Sequence, residues 1–156
     1  METRSEKARQ LFENGYNCSQ AVFGAFCDDT EIELKSALRI ASSFGGGMGR
    51  LREVCGAVSG MFMVAGIIYG YDEPKDNEAK KEHYRLIQEL AQRFINVNGT
   101  IVCRELLGLG KGPDNPIPEA RTESYYKRRP CSEYVQCAAE IMEQYISKKK
   151  AEALSE

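Results

Sequence analysis

The chain has 156 residues, of which 42% are hydrophobic and 28% charged, a composition typical of one globular domain and not of a disordered segment. Its 21 basic and 23 acidic side chains give a net charge of -2, which excludes the strongly basic surface of a nucleic-acid-binding protein. The amino-terminal segment METRSEKARQ lacks the apolar run of a secretory signal, so we expect a cytoplasmic protein.

The first part of the chain predicts three helices. Apolar residues spaced three and four apart predict one helix over residues 3–14. Asn17 and Gln20 have the spacing of a capping box, so a second helix is expected over residues 18–26. Acidic side chains near the start of residues 29–43 favour a third helix, because they lie at the positive end of its dipole.

The middle of the chain combines a glycine-rich turn with a long uncharged segment. Residues 44–50, FGGGMGR, are expected to form a flexible turn with exposed backbone N–H groups. Residues 54–71 carry no charge and reach the lower limit of a membrane-spanning length. Glycines dilute their hydrophobicity, so we expect a buried central helix over residues 50–70 and no membrane span. Glycines four residues apart should let neighbouring helices approach closely, and the pairs are Gly56 with Gly60 and Gly66 with Gly70.

The rest of the chain predicts three more helices separated by turns. One is expected to end at Val97, with Gly99 as a left-handed C-cap. Thr100 can cap a short helix, IVCRELL. Residues 108–118 contain several glycines and prolines and are expected to form an irregular loop. Pro130 is then expected in the first turn of the last helix.

These elements together predict an all-α fold without strands or internal repeats. We expect a single-domain helical bundle over residues 1–156, with about six to seven helices around the central glycine-containing apolar helix. The lysine-rich residues 147–156 are expected to form a frayed tail.

The six cysteines are the most informative residues for function. In a reducing compartment, a cysteine-rich chain is more often a metal, cluster or thiol-redox protein than a disulfide scaffold, although dispersed cysteines also serve as small core residues. Four cysteines are expected in or near the first turns of separate helices, where unpaired N–H groups stabilise a thiolate. These four are Cys18, Cys55, Cys103 and Cys131. Nearby Arg52, Arg104 and Arg129 either stabilise thiolates as well or simply form a solvated surface.

The other two cysteines, Cys27 and Cys137, are expected in the core. Cys18 and Cys27 lie nine residues apart and Cys131 and Cys137 six apart, so neither pair can meet on one regular helix. A functional site would therefore have to bring the first four together from four different helices.

No short motif assigns the chemistry by itself. The chain has no CxxC, no CxxCH for covalent haem and no ferredoxin-type run. Neither GGGMGR nor GLGKG satisfies a dinucleotide-binding or P-loop pattern. The one histidine, His83, lies in a polar helical stretch and is expected at the surface, which disfavours a hydrolase triad.

Five segments in order resemble a known family. NCSQAV, GGGMGR, CGAVSG, CRELLG and RPCSEYV resemble the C_GCAxxG_C_C family, regarded as redox-active because of its cysteines, over about residues 5–145. The resemblance implies that the characteristic cysteines are Cys18, Cys55, Cys103 and Cys131. It also implies a link to transport, because family members are often encoded near transporters. A similar domain in split-Soret cytochromes implies an iron–sulfur centre, whereas haem is not expected here without CxxCH.

The residues and the resemblance predict a redox protein in which these four cysteines form one site. They either hold an iron–sulfur cluster or another thiophilic metal in electron transfer, or form exchangeable thiol–disulfide pairs. The cluster is favoured because four convergent helix starts stabilise anionic thiolates. The alternative is a non-catalytic interaction or dimerisation module with buried, inert cysteines. Expected partners are a redox protein or a transport-associated protein, and a second copy in a homodimer, but neither nucleic acid nor membrane.

Overall fold

The computed structural model describes residues 1–156 and consists of helices joined by turns, which confirms the all-α prediction. The helices are α1 (Arg4–Glu13), α2 (Cys18–Ala25), α3 (Cys27–Thr30), α4 (Leu34–Ala41), α5 (Gly45–Met48), α6 (Gly56–Tyr69), α7 (Asn77–Asn98), α8 (Cys103–Leu106), α9 (Glu123–Arg128) and α10 (Cys131–Leu154). A 3-10 turn, Ser42–Phe44, joins α4 to α5. The count exceeds six to seven because α3, α5 and α9 are too short to leave a periodic apolar pattern, whereas α8 lies within the expected IVCRELL helix. Residues 46–48 of α5 have left-handed φ values, so this element is a tight turn and not a regular helix.

Local capping sets the ends of two helices as predicted. The capping box opens α2, where Asn17 Oδ1 accepts from the Gln20 N–H at 2.9 Å and Gln20 Oε1 accepts from the Asn17 N–H at 3.0 Å. Gly99 ends α7 with a φ of 94°. Thr100 does not cap α8, which begins only at Cys103 and has no side-chain cap.

Left-handed backbone delays two of the predicted helix starts. The helix expected over residues 29–43 is α4, which begins later because Glu31 has a φ of 60° and ends the short α3. The helix expected over residues 50–70 is α6, which begins later because Arg50 and Arg52 have φ values of 67° and 61°. A right-handed helix does not continue through such residues.

Glycines control how closely α6 approaches α2. An added Cβ at Gly56 would lie 3.2 Å from the Ser19 nitrogen, and one at Gly60 would lie 2.8 Å from the Ser19 oxygen. The second pair, Gly66 with Gly70, does not bring another helix close. Nothing lies within 4 Å of a Cβ added at Gly66, and a Cβ added at Gly70 would meet only atoms of Gly66. The close packing predicted for the first pair is confirmed, and that for the second is wrong.

A cluster of 26 buried residues forms the core, with members from α1, α2, α4, α6, α7 and α10. Helix α6 packs against α2, α10 and α7 within it. Residues 147–156, expected as a frayed tail, continue α10 as far as Leu154 and are exposed throughout. No helix combines the length and the apolar character needed to cross a membrane.

Candidate functional site

The structure brings the four candidate cysteines to one cavity. Cys18, Cys103 and Cys131 are the first residues of α2, α8 and α10, and Cys55 immediately precedes α6. All four line a cavity of about 470 Å³, and all are free thiols. The positions at helix starts are those predicted from the sequence.

The two remaining cysteines and the histidine lie away from this cavity. Cys27 and Cys137 are half-buried at the edge of the core, where Asn98 Nδ2 donates to Cys137 Sγ at 3.5 Å. His83 was expected at the surface but is half-buried against Tyr71, with 6.1 Å between the ring centroids. None of these three chemically reactive side chains lines the cavity.

A short antiparallel bridge between Val54 and Val102 brings two of the cysteines together. The Cys55 N–H donates to the Ile101 oxygen at 2.7 Å, and the Cys103 N–H donates to the Glu53 oxygen at 2.6 Å. Because both cysteines lie one residue beyond the bridged pair, their side chains share one face and are diagonal neighbours. The bridge joins residues that are far apart in the sequence, so no local pattern of residues predicts it.

The glycine-rich segment forms a left-handed turn that contacts the site. Residues 46–50 all have positive φ values, between 59° and 69°. A Cβ at Gly47 would lie 2.7 Å from Cys103 Cβ and 2.8 Å from the Glu53 nitrogen, so only glycine fits. The backbone of Gly46 also lowers the pKa of Cys18. The segment is thus a tight turn that holds two of the cysteines, whereas the sequence predicted a flexible one.

Cys18 and Cys131 influence each other's ionisation. A hydrogen-bonding effect of the Cys131 side chain is the largest cause that lowers the pKa of Cys18 to about 7. The Gly46 N–H and the positive charge of Arg121 lower the same pKa, against the opposing effect of burial. The interaction with Cys18, together with burial, raises the pKa of Cys131. One sulfur therefore ionises easily near neutral pH while its partner stays protonated.

The other two thiols are held in the neutral form. Burial and the nearby charge of Cys18 raise the pKa of Cys55. Burial also raises the pKa of Cys103, even though Arg52 Nη1 donates to its sulfur at 3.6 Å. Asp114 Oδ2 holds that guanidinium, 3.1 Å from Arg52 Nε and 3.0 Å from Nη2. The chain Cys103–Arg52–Asp114 fixes the inner wall of the cavity.

Arg121 is a wall residue that the sequence analysis missed. Its guanidinium donates to the Phe12 oxygen at 2.9 Å and the Tyr16 oxygen at 3.0 Å. It also lies over two aromatic rings, 4.1 Å from the Phe12 centroid and 5.2 Å from that of Tyr125. Arg121 lies between the irregular loop and α9, where the sequence showed no periodic pattern, so no local signal pointed to it.

The donor chemistry of the cavity suits a thiophilic metal, but the placement of the side chains does not. Cysteine thiolates are the usual ligands of iron–sulfur clusters and are common ligands of zinc. No group of three or more cysteine, histidine, aspartate or glutamate side chains is placed to hold one metal ion. The cavity holds four free thiols, of which Cys18 and Cys131 affect each other's pKa most.

Comparison with known proteins agrees with the resemblance found in the sequence. The profile of a family described as "Putative redox-active protein (C_GCAxxG_C_C)" matches residues 16–145. No curated protein and no solved structure matches the chain.

Proposed function

Because the chain belongs to the C_GCAxxG_C_C family, which is described as redox-active, we propose that the four cysteines of the cavity form its redox site. We further propose that Cys18 and Cys131 alternate between a dithiol and a disulfide. This pairing is supported by the position of both cysteines in one cavity, at the starts of α2 and α10, and by the opposite effects that they have on each other's pKa.

The environment of the pair suits thiol–disulfide exchange. A thiolate is the attacking species, and a pKa near ambient pH combines a high thiolate fraction with good nucleophilicity. Cys18 has such a pKa, about 7, because Cys131 and the Gly46 backbone lower it. The pKa of Cys131 is raised, with Cys18 as the largest cause, so Cys131 stays protonated in the same cavity, as a resolving thiol would.

The reaction with an external disulfide balances as follows. The Cys18 thiolate attacks one sulfur of R–S–S–R′, which forms a mixed disulfide and releases R′–S⁻. The departing thiolate takes the proton from Cys131, and the Cys131 sulfur then attacks the Cys18 sulfur and releases R–S⁻. The protein loses two electrons as its disulfide forms, and the substrate gains two electrons and becomes one thiol, R′–SH, and one thiolate, R–S⁻.

Cys55 and Cys103 are less suited to form a second disulfide. Diagonal neighbours across an antiparallel bridge lie about 7–8 Å apart, at or beyond the usual Cα separation of a disulfide. Burial also raises the pKa of both thiols. We propose that they line the pair and limit access of water to it.

Trapping the mixed disulfide tests the assigned roles. With a small disulfide, Cys131→Ser should accumulate the adduct on Cys18, because no resolving thiol remains. Cys18→Ser should form no adduct near neutral pH, because the lowered pKa belongs to Cys18. Cys137→Ser, outside the cavity, is the matched control and should resolve the adduct as the unaltered chain does. Equal trapping in all three variants would contradict the assignment.

An iron–sulfur or other thiophilic metal site in electron transfer is the second candidate. It is favoured by the presence of all four family cysteines in one cavity, although these side chains do not surround one ion as placed. Protein purified anaerobically from iron-supplemented cells should then carry iron with matching acid-labile sulfide, lost on substitution of Cys55 or Cys103. Full metal loading in Cys55→Ser and Cys103→Ser would refute this candidate, and a metal-free product would favour the dithiol.

A non-catalytic interaction or dimerisation module is the remaining alternative. Its cysteines would be inert, so a thiol reagent should leave all six unmodified in the folded protein, whereas rapid modification of Cys18 alone would exclude it. We propose that the redox site works in the cytoplasm with a redox or transport-associated partner, in a chain that forms a homodimer. Size measurement and crosslinking of the purified chain test the dimer.

A further inference from the structure

The cavity beside the cysteines has an excess of positive charge. Its lining includes four arginines, which are Arg50, Arg52, Arg121 and Arg129. Glu119 is the one carboxylate in the lining, and Asp114 pairs with Arg50 and Arg52 at 3.3 Å and 3.0 Å. Four guanidinium groups thus face two carboxylates, an excess of two positive charges, or of one when Cys18 is ionised. A concave, largely apolar site focuses such a field on a bound anion.

Arg129 has donors that the chain leaves unused. Its side chain is only 13% exposed, and its ion-pair contact runs from Nε to Glu119 Oε2 at 3.6 Å. That distance is too long for a good hydrogen bond, and the Glu119 oxygen has no hydrogen-bond partner. The two terminal nitrogens of Arg129 donate no hydrogen bond within the chain. Because Arg129 lines the cavity, these donors are available to a molecule inside it.

The size and the walls of the cavity fit a small organic molecule. Its volume of about 470 Å³ lies within the usual range for small-molecule sites, about 300–1,000 Å³. Tyr125, Tyr134 and Leu106 supply apolar surface, and the four sulfurs lie in the same space. A ligand that reaches both regions would carry sulfur at one position and an anionic group at another.

We propose that the cavity binds a small disulfide or thiol bearing a carboxylate, and that Arg129 anchors this carboxylate while the sulfur faces Cys18 and Cys131. This inference rests on the proposed dithiol function. The planar guanidinium of Arg129 can bind a carboxylate through two parallel hydrogen bonds, which fixes the orientation of the ligand. Arg121, which makes no ion pair, adds a second positive charge beside Cys18.

A series of three disulfides that differ in charge tests the inference on the unaltered chain. The probes are 3,3′-dithiodipropionate, which is anionic, bis(2-hydroxyethyl) disulfide, which is neutral, and cystamine, which is cationic. The three disulfides differ in intrinsic reactivity. The rate at which each oxidises Cys18 is therefore normalised, that is, divided by the rate at which the same probe reacts with free 2-mercaptoethanol. The anionic probe should be favoured about tenfold or more over the neutral one, since charged hydrogen bonds are worth that much in affinity. Equal normalised rates would overturn the inference.

Variants then assign the anchoring role. Arg129→Gln should remove the preference for the anionic over the neutral probe, whereas Arg129→Lys should retain part of that preference. Arg128→Gln is the matched control, because Arg128 also contacts Glu119 but does not line the cavity. Equal slowing of all three probes in Arg129→Gln would contradict the role of Arg129. Equal effects of Arg129→Gln and Arg128→Gln would contradict it too.

Binding measured without reaction separates this inference from the proposed function. In Cys18→Ser/Cys131→Ser, 3,3′-dithiodipropionate should still bind by calorimetry, and Arg129→Gln should weaken that binding about tenfold or more. Binding without oxidation of the unaltered chain would leave the anion site standing and refute the dithiol function. Oxidation of the unaltered chain without charge preference, and without binding in the double variant, would support the dithiol function and refute the anion site.

Discussion

Cys131→Ala removes the donor with the largest effect on the pKa of Cys18. The Gly46 backbone and Arg121, which lower the pKa, and burial, which raises it, all remain, so the pKa should rise from about 7 toward its ordinary value of 9.0. Because the cavity loses only one sulfur, the four helices that surround it should keep their packing. The change in Cys18 reactivity then reports the hydrogen bond itself.

The size of the effect follows from the thiolate fraction. At pH 7 the Cys18 thiol is about half ionised with a pKa of about 7, and would be about 1% ionised with a pKa of 9.0. The fall in thiolate fraction is partly offset, because a more basic thiolate is a better nucleophile. With a Brønsted slope of about 0.4–0.5, each thiolate would react roughly six to ten times faster at the higher pKa. With a partial rise in pKa, we expect Cys18 to react about two- to fivefold more slowly at pH 7.

The assay follows the loss of free Cys18 with bis(2-hydroxyethyl) disulfide by peptide mass spectrometry, from pH 6 to pH 10. The rate profile of Cys131→Ala should shift to higher pH, and above about pH 9 the variant should be the faster of the two. Cys137→Ala, outside the cavity, should leave the profile in place. An unshifted profile in Cys131→Ala would refute the hydrogen bond as the cause of the lowered pKa.

Three further predictions concern stability, each measured by denaturant unfolding. Gly47→Ala should lower the free energy of unfolding by at least about 2 kcal/mol, because φ is +66° and the new Cβ would lie 2.8 Å from main-chain atoms. Gly66→Ala, with nothing within 4 Å, should instead raise it by about 0.5–1 kcal/mol, and the same sign in both would contradict the packing. The folded-state pKa of Cys18 is depressed to about 7, so its ionisation stabilises the fold above pH 9, and this stabilisation is lost as the pH falls through about 7. Cys18→Ala should therefore abolish the pH dependence of stability between about pH 7 and pH 9. Asp114→Ala should lower the unfolding midpoint because it leaves the buried Arg52 without its carboxylate, and an unchanged midpoint would refute that pairing.

Features set by neighbouring residues could be predicted from the sequence. The capping box of Asn17 and Gln20 and the left-handed Gly99 each involve groups within a few residues, so their pattern was sufficient. The same holds for the cysteines that start α2, α8 and α10. Gly56 and Gly60 also showed their packing role through spacing alone.

Features that depend on distant contacts could not be predicted. The bridge of Val54 with Val102 joins segments separated by two whole helices, α6 and α7. The interaction of Cys131 with Cys18 joins residues that are more than 100 positions apart in the sequence. The left-handed turn at residues 46–50 looked like a flexible loop because glycines are common in both. Its fixed shape comes from Cys103 and the bridge, which the local sequence does not specify.

The most direct test of the central claim is a redox titration of the unaltered chain. The protein is equilibrated in glutathione buffers of increasing oxidation, alkylated and mapped by mass spectrometry without reduction. We expect one two-electron transition that forms a single disulfide between Cys18 and Cys131, with Cys55 and Cys103 still free. A disulfide between other cysteines, or no disulfide in any buffer, would contradict the account.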